Sequence, residues 1–189
     1  MALTHVGVSG PKIHLIDGSY FDFEKPENGT YGIAAIAHAL SMLCRFTGHV
    51  KYFYSVAQHS VAVSELVPEE LALAALLHDA GEAFINDLSA PLKHAPWMHG
   101  YRDCEERVER AVFARFGVEE WLLPMHPYIK HADLVMLATE QRDLMPPSNE
   151  EWAVLNGIEP RDRKINPQPP EIARAYFLQR YVQLTSEHS

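Results

Sequence analysis

The chain has 189 residues, 47% of them apolar and 22% charged, and a formal net charge of −9 at pH 7. This length suits one domain with a sizeable core, so we expect residues 1–189 to form a single domain. The acidic net charge argues against duplex nucleic acid as a partner, since that usually needs a basic face, and no apolar run approaches the ~20 residues that span a bilayer. The composition therefore predicts a protein that binds neither duplex nucleic acid nor a membrane.

The N-terminal segment MALTHVGVSGPK lacks the basic stretch and apolar core of a secretory leader. The two cysteines, Cys44 and Cys104, show no Cys-x-x-Cys spacing. Both observations favour a cytoplasmic protein with reduced thiols.

Two short apolar-aromatic runs flank a turn signal near the start of the chain. The segment KIHLIDGSYFDF centres on Asp17-Gly18, which predicts a β-hairpin with a type I′ turn. After the turn-rich segment EKPENGT, apolar residues recur with helical spacing. We therefore expect an all-α, mainly helical fold with a small N-terminal β-hairpin.

The helices are predicted from their apolar period and their end signals. They cover residues 33–46, a segment from a Ser55 cap to about residue 66, a segment from Pro68 through LALAALLHDAGEA, residues 101–116 ended by Gly117, residues 127–144, and residues 171–185. Two segments between them are predicted to be irregular: DLSAP as a loop, and the proline-rich stretch 146–170 as an extended surface segment.

Three of the predicted helices carry metal-ligand residue types on inward faces. His59 lies on the apolar stripe of its helix, and Asp133 shares a face with apolar neighbours. His78 also points inward, and Asp79 follows it about 100° around the helix. Two imidazoles and two carboxylates suit a first-row divalent ion that keeps open positions for water.

Each of these residues also has an ordinary structural explanation. A buried histidine such as His59 is usually a hydrogen-bonded core residue, and Asp133 could pair with Arg142 or another cation. An aspartate on an apolar stripe costs several kcal/mol unless it is paired or bound to a metal. Four separate explanations of this kind, each at an inward position, are less plausible together than one shared site.

The same residues carry a resemblance to a known family. His59, the pair His78-Asp79 and Asp133 match the H…HD…D pattern of the HD-domain metal-dependent phosphohydrolases. The segments IAHALSMLCRFTGH, YSVAQHS, LLHDAGEAFINDLSAPLK and IKHADL…TEQRDLM are similar to small bacterial and phage HD proteins related to 5′-deoxynucleotidases, and among these the phage dATP triphosphohydrolases look nearest. The resemblance covers roughly residues 13–184.

The resemblance implies that the four residues of the pattern coordinate the catalytic ion. It also implies that Glu82, one turn after His78, is a general acid or base, with Asp87 as the second candidate. Pairing of Glu82 with a surface lysine or arginine is the structural alternative. The family further implies a homo-oligomer that acts in a bacterial or phage-infected cell.

Three cations are placed near the phosphates of a substrate by the same resemblance. Arg45 closes the first predicted helix, Lys93 ends the DLSAPLK segment, and Lys130 lies one turn before Asp133. A guanidinium binds phosphate through two parallel hydrogen bonds, and an ammonium group acts as a point charge. Taken singly, each of these side chains would more often be solvated surface.

Two further residues are candidates for a base and sugar pocket. His38 shares the face of the predicted first helix with Arg45, so it could line the pocket or hold Arg45 in place. Phe46 follows directly, where relatives use an aromatic ring near the sugar and base; core packing explains such a ring equally well.

These observations predict a metal-dependent deoxynucleotide phosphohydrolase with one or two divalent ions per site. The ion could be cobalt, zinc, manganese or magnesium, and two histidine ligands favour the softer of these ions. Within this class we expect a triphosphohydrolase that prefers dATP. The alternatives are a 5′-deoxynucleotidase acting on dNMPs and, from another class, a non-catalytic nucleotide-binding sensor.

Overall fold

The computed structural model describes residues 10–186, so most of the N-terminal segment used to judge a secretory leader lies outside the described residues. The described chain is mostly helical and begins with a two-stranded antiparallel hairpin, which confirms the predicted fold class. The strands are β1 (Lys12–His14) and β2 (Tyr20–Asp22). The helices are α1 (Ile33–Met42), α2 (Val56–Ser64), α3 (Glu69–Leu77), α4 (Glu82–Ile85), α5 (Ala90–Lys93), α6 (His99–Phe116), α7 (Glu119–Leu122), α8 (Pro127–Leu144) and α9 (Pro170–Ser186).

The hairpin turn differs from the predicted type. A type I′ turn needs positive φ at both central residues, but Gly18 has φ +85° while Asp17 does not adopt positive φ. The loop instead closes through a bond from the Gly18 amide to the Leu15 carbonyl (3.0 Å) and one from the Leu15 amide to the Ser19 carbonyl (2.9 Å). The Asp17 carboxylate accepts from the Ser19 amide at 2.9 Å and holds this conformation.

The core lies around α3, whose sequence EELALAALL is apolar on nearly every side. Helix α3 packs against α2 and α9, so other helices cover two of its sides. This explains why its apolar residues are not confined to one face, as they are in a helix at the protein surface. The hairpin closes the end of this core near α4. Phe21 of β2 stacks on Phe84 of α4 with ring centroids 4.0 Å apart, which fixes the short helix that carries Glu82.

The first helix is shorter than predicted and ends at Met42 rather than at residue 46. The chain turns extended at Leu43, where the Leu43 carbonyl accepts from the Val56 amide at 3.1 Å and the Arg45 amide donates to the Tyr54 carbonyl at 2.9 Å. These hydrogen bonds to the segment before α2 take the place of the bonds that would continue the helix past Met42. Arg45 is therefore not on a helix face with His38, and that prediction is wrong.

The helix that leads to His78 also ends early, at Leu77. The next residues form tight turns in which the Ala80 amide bonds the Leu77 carbonyl (2.9 Å) and the Glu82 amide bonds the Asp79 carbonyl (3.0 Å). Each bond spans three residues instead of four. The predicted continuous helix through residue 83 is thus two helices joined by the turn that carries the His-Asp pair.

The remaining boundaries lie close to the predicted ones. Helix α6 starts two residues earlier than expected and ends at Gly117, whose φ of +68° makes it the expected left-handed terminator. The predicted DLSAP loop is shorter than expected, since α5 starts at Ala90. The C-terminal helix runs one residue further at each end than predicted.

The segment 146–170 is irregular apart from a short 3-10 turn at Ala153–Leu155. It lies against α2 and α8. The Gln58 side chain donates to the Asn166 carbonyl at 2.8 Å and accepts from the Gln168 amide at 2.9 Å, which fixes the end of the segment on α2.

Across residues 10–186, none of the helices combines the length and the apolar character needed to cross a bilayer.

Candidate metal centre

His59 is presented from α2, which begins at a capped end. The Ser55 hydroxyl accepts from the Gln58 amide at 3.1 Å and fixes the first turn of this helix. His59 is fully buried. Its Nδ1 lies 2.6 Å from Glu140 Oε1, so Nε2 is the nitrogen that faces the site.

The turn after α3 supplies the next two groups. His78 Nδ1 lies 2.7 Å from the Ala75 carbonyl, to which only a protonated Nδ1 can donate, so Nε2 is left as an acceptor. Asp79 Oδ2 lies 3.3 Å from His78 Nε2 and 3.7 Å from His59 Nε2. The tight turn therefore brings one carboxylate oxygen against both imidazoles.

Asp133 approaches from α8 on the third side. Its Oδ1 lies 3.4 Å from His59 Nε2, and its Oδ2 accepts from Lys130 Nζ at 3.0 Å. Arg142, the partner considered from the sequence, instead pairs with its neighbour Asp143. Burial raises the pKa of Asp133, but the nearby His59 and His78 outweigh it and hold this pKa well below its usual range.

The side chains of His59, His78 and Asp133 form a group that could hold a metal ion. Each offers one ligand atom, and these atoms all lie within 4.8 Å of one another. Both Nε2 atoms are buried and have no hydrogen-bond partner among the described residues, which is costly unless a ligand satisfies them. Nitrogen and carboxylate donors of this kind fit a first-row divalent ion.

Asp79 is the fourth member of the predicted ligand set. Its Oδ2 also lies 3.5 Å from Arg45 Nη1, so the same oxygen faces a guanidinium on one side and the two imidazoles on the other. The structure therefore brings all four predicted ligands to one place, with Asp79 at the side nearest Arg45.

Glu140 is a functional residue that the sequence reasoning missed. It is fully buried on α8, and its two oxygens accept from His59 Nδ1 (2.6 Å) and Arg45 Nε (3.1 Å). A carboxylate on the second nitrogen of a ligand histidine fixes the ring and its tautomer. The sequence signal that could have identified Glu140 is its spacing from Asp133, because it lies two turns later on the same face of α8.

The groups around His59 shift the pKa of its imidazole in opposite directions. Burial and the charge of Arg45 lower the pKa of His59, but Glu140 and the nearby Asp133 outweigh them and raise it to about 9. The surrounding negative charge thus favours a positive charge at this position. A divalent cation can take the place of that proton.

Arg45 lies at the site, although it does so from the turn after α1. Its guanidinium is nearly buried between Glu140 and Asp79. The next two residues, Phe46 and Thr47, have φ of +56° and +54°, a conformation that costs energy in residues with a side chain. This strained turn is the local geometry that points Arg45 into the cluster.

Glu82 and Asp87 flank the cluster from α4 and the loop that follows it. Burial, together with the charges of Asp79 and Asp87, raises the pKa of Glu82 well above its usual value. Burial also raises the pKa of Asp87, an effect that Arg45 opposes. Glu82 Oε2 is buried without a hydrogen-bond partner among the described residues, so the structure does not pair it with a surface cation.

The two lysines differ in how they are held. Lys130 is half exposed beside Asp133, at the open side of the cluster. Lys93 forms a 2.6 Å ion pair with the nearly buried Glu105 of α6. Its charge still acts on Glu82 and Asp79, so it contributes to the field at the site.

Phe46 and His38, the two candidates for a base and sugar pocket, lie in different parts of the structure. The Phe46 ring lies under the Arg45 guanidinium at 5.5 Å and faces Trp152 of the segment 146–170 with centroids 6.2 Å apart. His38 instead lies 3.4 Å from Arg174 of α9 through its Nδ1. The structure therefore connects Phe46 with the cluster and connects His38 with the C-terminal helix.

Comparison with known proteins identifies relatives that extend over nearly the whole chain. The uncharacterized protein YfdR of Escherichia coli K12 is 40% identical over 175 residues, which cover 92% of this chain and 95% of YfdR. An uncharacterized protein of Rhodobacter capsulatus is 34% identical over 188 residues, covering 92% of this chain and 91% of the relative. No family model matches the chain. Neither relative's name specifies an activity.

Proposed function

The chain belongs to the same family as Escherichia coli YfdR, and from the chemistry of its site we propose that it is a metal-dependent deoxynucleotide phosphohydrolase of the HD-domain class. The observation that carries this proposal is the convergence of His59, His78 and Asp133, with both free Nε2 atoms buried and unpartnered. Asp79 beside them completes the H…HD…D set on which the resemblance rests.

A divalent ion held by these residues would lower the pKa of a bound water and polarise a phosphoryl oxygen. The ion is cobalt, zinc, manganese or magnesium, with one or two per site. Glu140 and the Ala75 carbonyl hold the two imidazoles in the orientation that such an ion requires.

Glu82 is the proposed general acid and base. Burial and the charges of Asp79 and Asp87 raise its pKa well above the usual value, which favours the protonated carboxyl that can donate a proton to the departing 5′-oxygen of a deoxynucleoside. Asp87, whose pKa is raised by burial, is the second proton carrier. A water molecule supplies the oxygen that joins phosphorus, and its proton balances the one given to the leaving group.

Substrate phosphates are bound by Arg45, Lys93 and Lys130. Lys130 is the accessible cation next to Asp133, and Arg45 already faces Asp79. Three cations around one acidic centre suit a polyphosphate better than a monophosphate. The preferred substrate is therefore a dNTP, with dATP first, cleaved at the α-phosphorus into deoxynucleoside and intact triphosphate.

Phe46 and Trp152 are the nearby rings for the base and sugar, and the enzyme acts in the bacterial cytoplasm as a homo-oligomer.

Product analysis tests this proposal. Purified protein is incubated with dATP, dGTP or dAMP in the presence of Co²⁺ or Mg²⁺, and products are separated by chromatography with a phosphate assay. We expect deoxyadenosine and intact triphosphate from dATP. The Asp79→Ala variant should give no product, whereas Asp103→Ala, which removes an exposed aspartate of α6, should retain wild-type activity.

Other outcomes identify the alternatives. Phosphate released from dAMP, with dATP untouched, would transfer the protein to the 5′-deoxynucleotidase group. Metal and nucleotide binding without any product would contradict both enzymatic proposals and leave a nucleotide sensor.

A further inference from the structure

A cavity lies apart from the metal centre, between α2, α8 and residues 161–168. Its volume is about 280 Å³. On α2 it is lined by Gln58, Val61, Ala62 and Glu65, which form a different face from that of His59. None of the proposed metal ligands or catalytic residues lines it.

The lining of this cavity is cationic although the chain is acidic. Arg161, Arg163 and Lys164 face it with a single acidic residue, Glu65, so the lining carries a formal charge of 3 − 1 = +2. The whole chain carries −9. A concave site with charge opposite to that of the whole protein concentrates a ligand of the other sign, here an anion.

The wall of the cavity contains an unsatisfied donor. Tyr54 is only 1% exposed, and its hydroxyl has no hydrogen-bond partner among the described residues. Burial, the charge of Glu140 and a side-chain interaction with that carboxylate raise the pKa of this phenol well above its usual value, so the hydroxyl keeps its proton. Because this hydroxyl is buried behind the wall, the groups that an anion in the cavity would contact are the side chains of Arg161, Arg163 and Lys164.

The outer wall is fixed in place by hydrogen bonds to both helices. The Arg161 amide donates to Thr139 Oγ1 of α8 at 3.0 Å, and the Gln168 amide donates to Gln58 of α2 at 2.9 Å. Arg161 is also oriented by Glu65, with Nη1 3.7 Å from Oε2. The cavity is therefore already formed without a ligand, which reduces the ordering cost of binding.

We propose that this cavity is a second binding site for a phosphate-type oxyanion, either free or as the phosphate group of a small metabolite. The guanidinium and ammonium groups that line it match the acceptor oxygens of a phosphate. The volume lies near the lower end for ligand sites, which favours a small ligand. This site does not depend on the function proposed for the metal centre.

Isothermal titration with inorganic phosphate and with ribose 5-phosphate tests the site. The titrations use metal-free protein and are repeated on His78→Ala, so that phosphate binding through a retained metal ion is separated from binding in the cavity. The double variant Arg163→Ser/Lys164→Ser should bind both ligands at least tenfold more weakly.

Arg107→Ser is the matched control, because Arg107 is an exposed cation of α6 away from the cavity lining. It should bind phosphate as the wild type does, as should His78→Ala. Equal affinity of the cavity double variant and the wild type would overturn the proposal, and so would complete loss of binding in His78→Ala. Melting temperatures of all variants confirm that each is folded. Tighter binding of ribose 5-phosphate than of phosphate would support the site and assign the anion to a metabolite.

Discussion

At the scale of single residues, Glu140 is the side chain that organises the centre. It receives hydrogen bonds from His59 and from Arg45, so one buried carboxylate sets the orientation of a candidate metal ligand and of a proposed phosphate-binding group. Its charge is balanced by these two neighbours, and the removal of either would leave a buried charge uncompensated.

The variant Glu140→Gln tests this role. An amide is uncharged and accepts only through its one oxygen, so His59 and Arg45 both lose a charged partner and one of them also loses its hydrogen-bond acceptor. We expect metal affinity to fall about 10- to 100-fold, as is typical when the partner of a ligand histidine is changed. Titration with Co²⁺, followed by its visible absorption, measures this. Glu106→Gln on the exposed side of α6 is the control and should bind Co²⁺ as the wild type does; equal affinity of both variants would refute the role.

The raised pKa of His59 gives metal binding a pH dependence. Below a pKa of about 9 the imidazole carries a proton in the metal-free protein, and an ion must displace it. Apparent affinity should therefore rise with pH, by up to about tenfold per unit, and level off above pH 9. Co²⁺ titrations at several pH values between 6.5 and 9 measure the slope. An affinity that does not change over this range would contradict the assignment of His59 as a ligand.

Glu82→Gln separates proton transfer from metal binding. The amide keeps the shape of the protonated carboxyl but cannot transfer a proton, so turnover of dATP should fall about 10²- to 10⁴-fold. The Co²⁺ absorption spectrum should stay unchanged. Loss of the spectrum together with activity would instead show that Glu82 acts on the metal site, and retained activity would exclude it as the acid.

At the scale of secondary-structure elements, the site is built where helices end. Arg45 follows the end of α1 and turns inward there. The His-Asp pair lies in the tight turn that follows the end of α3. Helix α8 contributes differently, since Asp133 and Glu140 lie two turns apart on one continuous face.

Helix α6 offers a matched pair of glycines for measuring what a helix end contributes. Gly117 has φ +68° and Gly100 lies within the helix, and a methyl group would meet no atom within 4 Å at either position. Gly117→Ala should lower the free energy of unfolding by about 1 kcal/mol, because alanine is strained at positive φ. Gly100→Ala should raise it by about 0.5 kcal/mol through helix propensity. Urea denaturation measures both, and an equal sign for the two changes would contradict this explanation.

At the scale of the whole molecule, the candidate metal ligands connect parts of the chain that are distant in sequence. His59 lies on α2, His78 and Asp79 follow α3, and Asp133 lies on α8. An ion bound by all three regions binds the folded chain far better than the unfolded chain, so it must stabilise the fold.

Metal removal should therefore lower the melting temperature. An ion present at about 100 times its dissociation constant adds about 2.7 kcal/mol, which corresponds to roughly 5–10 °C for a chain of this size. Differential scanning calorimetry with Co²⁺ and with excess EDTA measures the difference. His78→Ala should show no such shift. An equal shift in wild type and variant would place the stabilising ion elsewhere.

The sequence by itself determined the helical class, the N-terminal hairpin and the residues of the metal cluster. These features follow from apolar spacing and from polar residues at inward positions, both of which are local patterns. The inward positions of His59, His78 and Asp133, together with the resemblance to the H…HD…D pattern, predicted the group that could hold a metal ion. The positions of helix ends were less predictable, since apolar residues continue past Met42 and past Leu77.

Only the tertiary structure decided where those helices stop and which groups complete the site. The break after α1 depends on hydrogen bonds to residues 54–56, and the role of Glu140 depends on His59 and Arg45, which lie 81 and 95 residues away. The phosphate cavity likewise requires residues 161–168 to be placed across α2 and α8. Such contacts between distant segments leave no periodic trace in the sequence, because each partner's position is set by packing of the whole chain.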